Sequence, residues 1–141
     1  MADLVRAPLV PELLVVDIGR SLRFWCELCG FAVAYDRMEE GFAYLDREGA
    51  QVMLEERRPG RHWVTGVLKA PFGRGLNFQV AVSAVAPILT ALAAADWPLF
   101  MASEQKWYRA GAVETGVEQF LVQDPDGYLI RFSKPLGERP L

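Results

Sequence analysis

The feature that most constrains this chain is a short internal repeat. Residues 11–17 (PELLVVD) alternate Leu13 and Val15 with Glu12 and Leu14, which reads as a strand. Asp17 follows as a helix N-cap. Leu22, Trp25, Cys26 and Cys29 then recur at helical spacing, and Gly30 is a C-terminal stop. Three strands come next: 31–35, 41–45 and 51–55. The last two are joined by the turn composition Asp46-Arg47-Glu48-Gly49. The second half repeats the plan. Asn77–Val82 alternates as a strand, and 85–95 carries Ile88, Leu89 and Leu92 on one helical face. Strands 119–123 and 128–132 flank Asp124-Pro125-Asp126-Gly127, read as a turn of the same length as the first. One strand–helix–three-strand unit has too small a core to stand alone. The fold class expected is therefore α+β: two tandem βαβββ modules, about 9–56 and 75–135, joined by an Arg-, Gly- and Pro-rich linker over 57–74. Their sheets are expected to form a cupped mixed sheet with the helices outside.

Composition supports one packed body. Of 141 residues, 52% are hydrophobic and 23% charged, enough apolar material for a core. The net charge of −3 argues against a nucleic-acid backbone as partner. No apolar run approaches the roughly 20 residues of a membrane span, and residues 1–17 lack the features of a secretory signal. Two cysteines cannot make a disulfide scaffold, so a reducing cytoplasm is the expected location. Cys26 and Cys29 stand at the C-terminal end of the predicted helix, away from the dipole end that activates a dithiol. They read as buried apolar thiols.

Strand alternation sorts side chains into two faces. Leu13, Val15, Val52, Leu54, Phe78, Val80, Val82, Ile130 and Phe132 form an apolar set expected to pack under the helices. The opposite set is mixed: Val10, Glu12, Leu14, Gln51, Met53, Glu55, Asn77, Gln79, Leu129 and Arg131. Counting back through the turns places Phe42 opposite Met53, Tyr44 opposite Gln51 and Phe120 opposite Arg131, with Glu118 within reach of Arg131. Aromatic walls with a few polar groups make up a small-molecule site, whereas a bare antiparallel sheet face would simply be solvated. Residues 101–116 read as a long loop. Its Trp107 and Tyr108 suit a stacking lid, a subunit contact, or packing on their own module. Arg131 is expected to pair with Glu118 or to meet an anionic group of a ligand. Trp63 and Phe72 flank the linker and suit either a cavity mouth or a subunit interface. His62, the one histidine, reads as a solvated loop residue.

The segments PELLVVDIGRSLRFWCELCGF and VQDPDGYLIRF make the chain, over roughly residues 9 to 135, resemble the vicinal oxygen chelate superfamily. That superfamily includes glyoxalase I, extradiol dioxygenases and bleomycin-resistance proteins. The resemblance implies paired βαβββ modules. It also implies four slots for metal ligands, which fall on Val10, Met53, Asn77 and Arg131. Valine, a thioether and a permanent cation do not ligate a hard divalent ion, and asparagine is a weak ligand. The branch then implied resembles bleomycin-resistance proteins, which are dimers that sequester a cationic antibiotic. The expectation is a metal-free, cofactor-free, cytoplasmic homodimer that captures a hydrophobic or cationic small molecule and confers antibiotic resistance. Its binding residues would be Glu12, Phe42, Tyr44, Met53, Glu55, Asn77, Gln79, Trp107, Tyr108, Glu118, Phe120 and Arg131, with no catalytic residue. The alternative is a divalent-metal glyoxalase, dioxygenase or lyase, which needs a register that brings Glu12, Glu55 and Gln79 together.

Overall fold

The computed structural model describes residues 3–60 and 63–141. Arg61 and His62, the latter expected as a loop residue, lie outside the described residues. The chain divides into two compact units, 1–72 and 73–141. Each follows the strand–helix–three-strand order and carries its own four-stranded mixed sheet.

In the first unit the elements are β1 (Glu12–Val15), α1 (Ile18–Leu22), β2 (Ala32–Arg37), β3 (Phe42–Arg47) and β4 (Ala50–Glu56). The sheet order is β1-β4-β3-β2, with β1 parallel to β4 and the other pairs antiparallel. Asp17 caps α1 as its position suggests, its carboxylate accepting from the Arg20 amide at 3.0 Å. The Ile18 amide donates to Glu56 at 2.9 Å, so two first-turn donors are satisfied by side chains. Over Arg23–Leu28 the helix widens to i→i+5 bonding, the Cys29 amide reaching the Phe24 carbonyl at 3.1 Å. The wider turn buries the adjacent pair Phe24 and Trp25 together and leaves Leu22 and Cys26 half-buried. Regular helical spacing would put Leu22 and Cys26 on the inner stripe instead. Trp25 meets Phe24 and Phe31 edge-on, with centroids 6.0 and 5.2 Å apart. Cys29 is fully buried, and burial followed by the nearby Glu27 charge raises the Cys26 thiol above its ordinary pKa. Cys26 therefore lacks thiolate character at neutral pH.

In the second unit the elements are β5 (Phe78–Ala81), α2 (Ala86–Ala94), β6 (Met101–Ala110), β7 (Val113–Gln123) and β8 (Leu129–Pro140), with sheet order β5-β8-β7-β6. Ile88 and Leu92 are the buried positions of α2. The stretch 101–116, expected as a loop, is mainly strand: Ala110 pairs with Val113 across a two-residue turn in which Gly111 takes a positive φ of 68°. Trp107 consequently sits on β6. Its ring lies over Gly116, where a Cβ would approach it to 2.7 Å, and the Arg139 guanidinium stacks on it at 4.1 Å. Trp107 thus packs on its own strands.

The apolar set is found as expected within each sheet. Leu13, Leu54 and Ala43 align across β1, β4 and β3, and Val80, Phe132 and Phe120 across β5, β8 and β7. The two turns, however, differ in length. Arg47 pairs with Ala50, leaving a two-residue turn in which Glu48 and Gly49 both take positive φ (51° and 94°). Gln123 pairs with Leu129, leaving five residues between the strands. That second turn is organised by Asp124, which is 3% exposed. Its carboxylate accepts from the Asp126 amide at 3.0 Å and the Tyr128 amide at 2.9 Å, and its own amide donates to the Tyr128 carbonyl at 2.8 Å.

Asp124→Ala is expected to cost about 1–3 kcal/mol in denaturant unfolding, because two buried amides lose their acceptor. Asp124→Asn keeps one acceptor oxygen and is expected to lose less. Equal losses for both variants would contradict this account of the turn.

Candidate functional site

Turn length sets register, and register sets which side chains share a face. In the first sheet the pairs are Phe42 with Glu55, Tyr44 with Met53 and Asp46 with Gln51. This is a shift of two from the expected pairing of Phe42 with Met53 and Tyr44 with Gln51, and a shift of two preserves the face. Glu12, Phe42, Tyr44, Met53 and Glu55 therefore share one mixed face, as expected. In the second sheet the shift is one, and it reverses β7. Arg131 is opposite Leu121, not Phe120. Phe120 pairs with Phe132 on the apolar face, fully buried, with ring centroids 5.4 Å apart. Glu118 is opposite Lys134, on the same side as Phe120, so the expected Arg131–Glu118 pair is not made. Asn77 lies just ahead of β5 and is exposed.

The mixed face of the first sheet is an aromatic wall with a carboxyl pair. A bulge at Ala34 turns Tyr35 onto this face, opposite Tyr44. The two rings stack with centroids 5.1 Å apart, and Phe42 lies 6.0 Å from Tyr35. Two guanidinium groups of the same unit already engage this wall. Arg37 stands 4.0 Å from the Phe42 centroid, and Arg6 stands 5.2 and 5.1 Å from those of Tyr35 and Tyr44. The segment carrying Arg6 is held by Gln51. The Gln51 side-chain oxygen accepts from the Ala7 amide at 2.8 Å and the Tyr44 hydroxyl at 2.6 Å. Its nitrogen donates to the Val5 carbonyl and to Asp46, both at 2.8 Å. Tyr44, 2% exposed, is thus covered by its own chain. Beside the wall, Glu12 and Glu55 adjoin. Burial, then the Glu55 charge and a hydrogen bond to Glu55, raise the Glu12 pKa, with Arg37 opposing.

The mixed face of the second sheet is built around a glutamine that the sequence does not single out. Gln119 is 2% exposed and is paired across β6 with Glu104, which a bulge between Met101 and Glu104 turns onto this face. Its side-chain nitrogen donates to the Tyr108 hydroxyl at 2.7 Å and to a Glu104 carboxylate oxygen at 3.2 Å. Its oxygen Oε1 is buried and has no hydrogen-bond partner among the described residues. Arg131 shares this face, opposite Gln79 on β5 and Leu121 on β7, and its Nε is likewise buried without a partner.

These residues do not fit a catalytic divalent ion. Of the slots implied by the resemblance, Arg131 supplies a cation and Met53 a thioether. The alternative donors Glu12 and Glu55 adjoin in one sheet and sit next to Arg37, while Gln79 is register partner to the Arg131 cation. Among the described residues, no group of three or more His, Cys, Asp or Glu is arranged to hold a metal.

No protein-family model matches the chain, and no curated protein does. Solved structures do. The crystal structure of TioX from Micromonospora sp. ML1 superposes with a TM-score of 0.69 at 22% identity, covering 92% of this chain and 99% of its own. A glyoxalase/bleomycin resistance protein/dioxygenase from Alicyclobacillus acidocaldarius gives 0.61 at 14% identity, covering 91% and 90%. These two likenesses concern the fold. A glyoxalase/bleomycin resistance protein/dioxygenase superfamily member from Vibrio splendidus 12B01 is 38% identical over 87% of this chain and 94% of its own, with a TM-score of 0.39. The likenesses show that the chain has the glyoxalase/bleomycin-resistance fold, the architecture of the vicinal oxygen chelate superfamily that its sequence resembles.

Proposed function

We propose that this protein binds a small molecule stoichiometrically, as bleomycin-resistance proteins of the superfamily it resembles do, and that the ligand is a planar aromatic or hydrophobic cation. Antibiotic sequestration by a cytoplasmic homodimer is the form this reading takes. The observation that carries it is the aromatic wall of the first sheet, where Tyr35, Tyr44 and Phe42 already accept two guanidinium groups beside the Glu12–Glu55 pair. A cation over an aromatic face gains about 0.5–2 kcal/mol, more where water is excluded. Carboxylates at the edge of that face add charge complementarity. The donor set does not support Lewis-acid chemistry at this face, so capture is the better reading.

Arg6 occupies the ground such a cation would take. Removing it with Arg6→Ala is expected to strengthen the binding of a planar cation such as proflavine several-fold, equivalent to ~1 kcal/mol. Calorimetric titration of wild type and variant checks this, with bleomycin as a second ligand. Unchanged affinity in the variant, or no saturable binding of either compound, would contradict the assignment.

The raised pKa of Glu12 gives a second expectation. Because the Glu12 pKa is raised, cation binding is expected to strengthen as pH rises through that raised value. It should weaken as pH falls toward the ordinary carboxyl value of 4.5. The same shift bears on stability. A carboxyl raised in the folded state costs nothing below its unfolded pKa and its full amount above its folded one. Glu12→Gln is therefore expected to raise Tm slightly at neutral pH, with the gain disappearing as pH drops through the carboxyl range. A variant less stable than wild type at neutral pH would show that the pair is not repulsive.

A further inference from the structure

The second unit carries two buried polar atoms that have no hydrogen-bond partner among the described residues and that share one sheet face. Gln119 Oε1 is an acceptor and Arg131 Nε a donor. Gln119 pairs with Ser133 and Arg131 with Leu121, so the two side chains are diagonal neighbours across β7 and β8, within reach of each other for side chains of this length. The glutamine cannot flip to relieve the vacancy. Its nitrogen is committed to the Tyr108 hydroxyl and the Glu104 carboxylate, and a flip would set oxygen against that carboxylate. Oε1 is thus fixed as an acceptor. Arg131 forms no ion pair among the described residues, and Glu118, the carboxylate expected to meet it, is turned to the other side.

We propose that this corner docks a neutral carboxamide-type group, such as a primary amide, lactam or ureide edge. Its carbonyl accepts from Arg131 Nε and its N–H donates to Gln119 Oε1. The inference deepens the small-molecule reading above and rests on it, naming a functional group that the second unit recognises by itself. Charge chemistry selects the class. A carboxylate would suit Arg131 but would press an anionic oxygen on Gln119 Oε1. An ammonium would suit Gln119 but would face the guanidinium. A group presenting an acceptor and a donor side by side satisfies both atoms, and buried polar atoms left unmet are costly. Tyr108 and Glu104 touch no ligand in this arrangement; they are positioning residues that hold the glutamine in its orientation.

The test is an NMR titration of the full-length protein with benzamide, benzoate and benzylammonium, following the Arg131 Nε–H and Gln119 side-chain amide signals. Benzamide is expected to shift both signals saturably. Benzoate and benzylammonium are expected to bind at least about tenfold more weakly, and Gln119→Met and Arg131→Lys each to weaken benzamide by at least about tenfold, the loss of one hydrogen bond to a charged or buried partner. Because the wild-type titration needs no variant, a misfolded variant leaves the test intact. No benzamide shift at Arg131 up to about 50 mM, a range that reaches weak fragment binding, would overturn the proposal and leave ordered water as the partner of both atoms. Benzoate binding as tightly as benzamide would overturn it in favour of a plain anion site. Proflavine acting on Tyr35 and Tyr44 while benzamide leaves Arg131 untouched would defeat this inference alone. Failure of both probes would defeat the binding reading with it.

Discussion

The carboxylate of Asp124 is the point on which the second sheet turns. By accepting two amides inside the turn it sets a five-residue connection, and the pairing of Gln123 with Leu129 follows. Strand side chains alternate, so each residue of loop length decides the face of every residue on β7. With this register Phe120 joins Phe132 in the apolar layer, and Gln119 joins Arg131 on the mixed face. One residue fewer in the turn would bury the glutamine against phenylalanine and expose Phe120. The strength of that preference is hydrophobic: a buried phenylalanine contributes roughly 1.5–3 kcal/mol relative to exposure, and Phe120 and Val122 would both be reversed.

Much of this architecture is legible in the chain. The Asp17 cap, the alternation of Leu13 with Val15 and of Val80 with Val82, and the doubled strand–helix–three-strand order all appear as local periodicity, and they emerge as read. What escapes is whatever depends on a single-residue count. Asp46-Arg47-Glu48-Gly49 and Asp124-Pro125-Asp126-Gly127 look alike in composition. In the first, Asp46 and Arg47 belong to the strand and only Glu48 and Gly49 turn; in the second, all four residues and Tyr128 lie outside the ladder. In the first sheet the miscount was two and harmless to the face assignment, so Glu12, Phe42, Tyr44, Met53 and Glu55 were placed together correctly. In the second it was one, and it misplaced Glu118 and Phe120.

The other misses have the same origin. Tyr35 and Glu104 reach their faces only because a bulge adds one residue to β2 and to β6, and nothing in local composition announces an extra residue. The widened turn after α1 likewise moves Phe24 inward beside Trp25, against the stripe that regular spacing implies. The covering of Tyr44 by Arg6 is a contact between residues 38 apart in sequence, beyond the reach of any periodic argument. A signal for Gln119 did exist: an uncharged polar residue directly before Phe120, in a strand that must bury one face, asks what it bonds to.

The proposal that the protein holds a molecule rests on the two mixed faces, each taken within its own unit. One offers aromatic rings beside Glu12 and Glu55; the other offers an oriented acceptor and a guanidinium nitrogen with no hydrogen-bond partner among the described residues. Among the described residues, no group of three or more His, Cys, Asp or Glu is arranged to hold a metal ion. The most direct test is a calorimetric titration of proflavine or bleomycin into chelator-treated protein, repeated with added divalent metal, with the ligand recovered and weighed by mass spectrometry. The account predicts the same affinity in both conditions and an unaltered ligand mass. Binding or ligand conversion that appears only with the metal would contradict it.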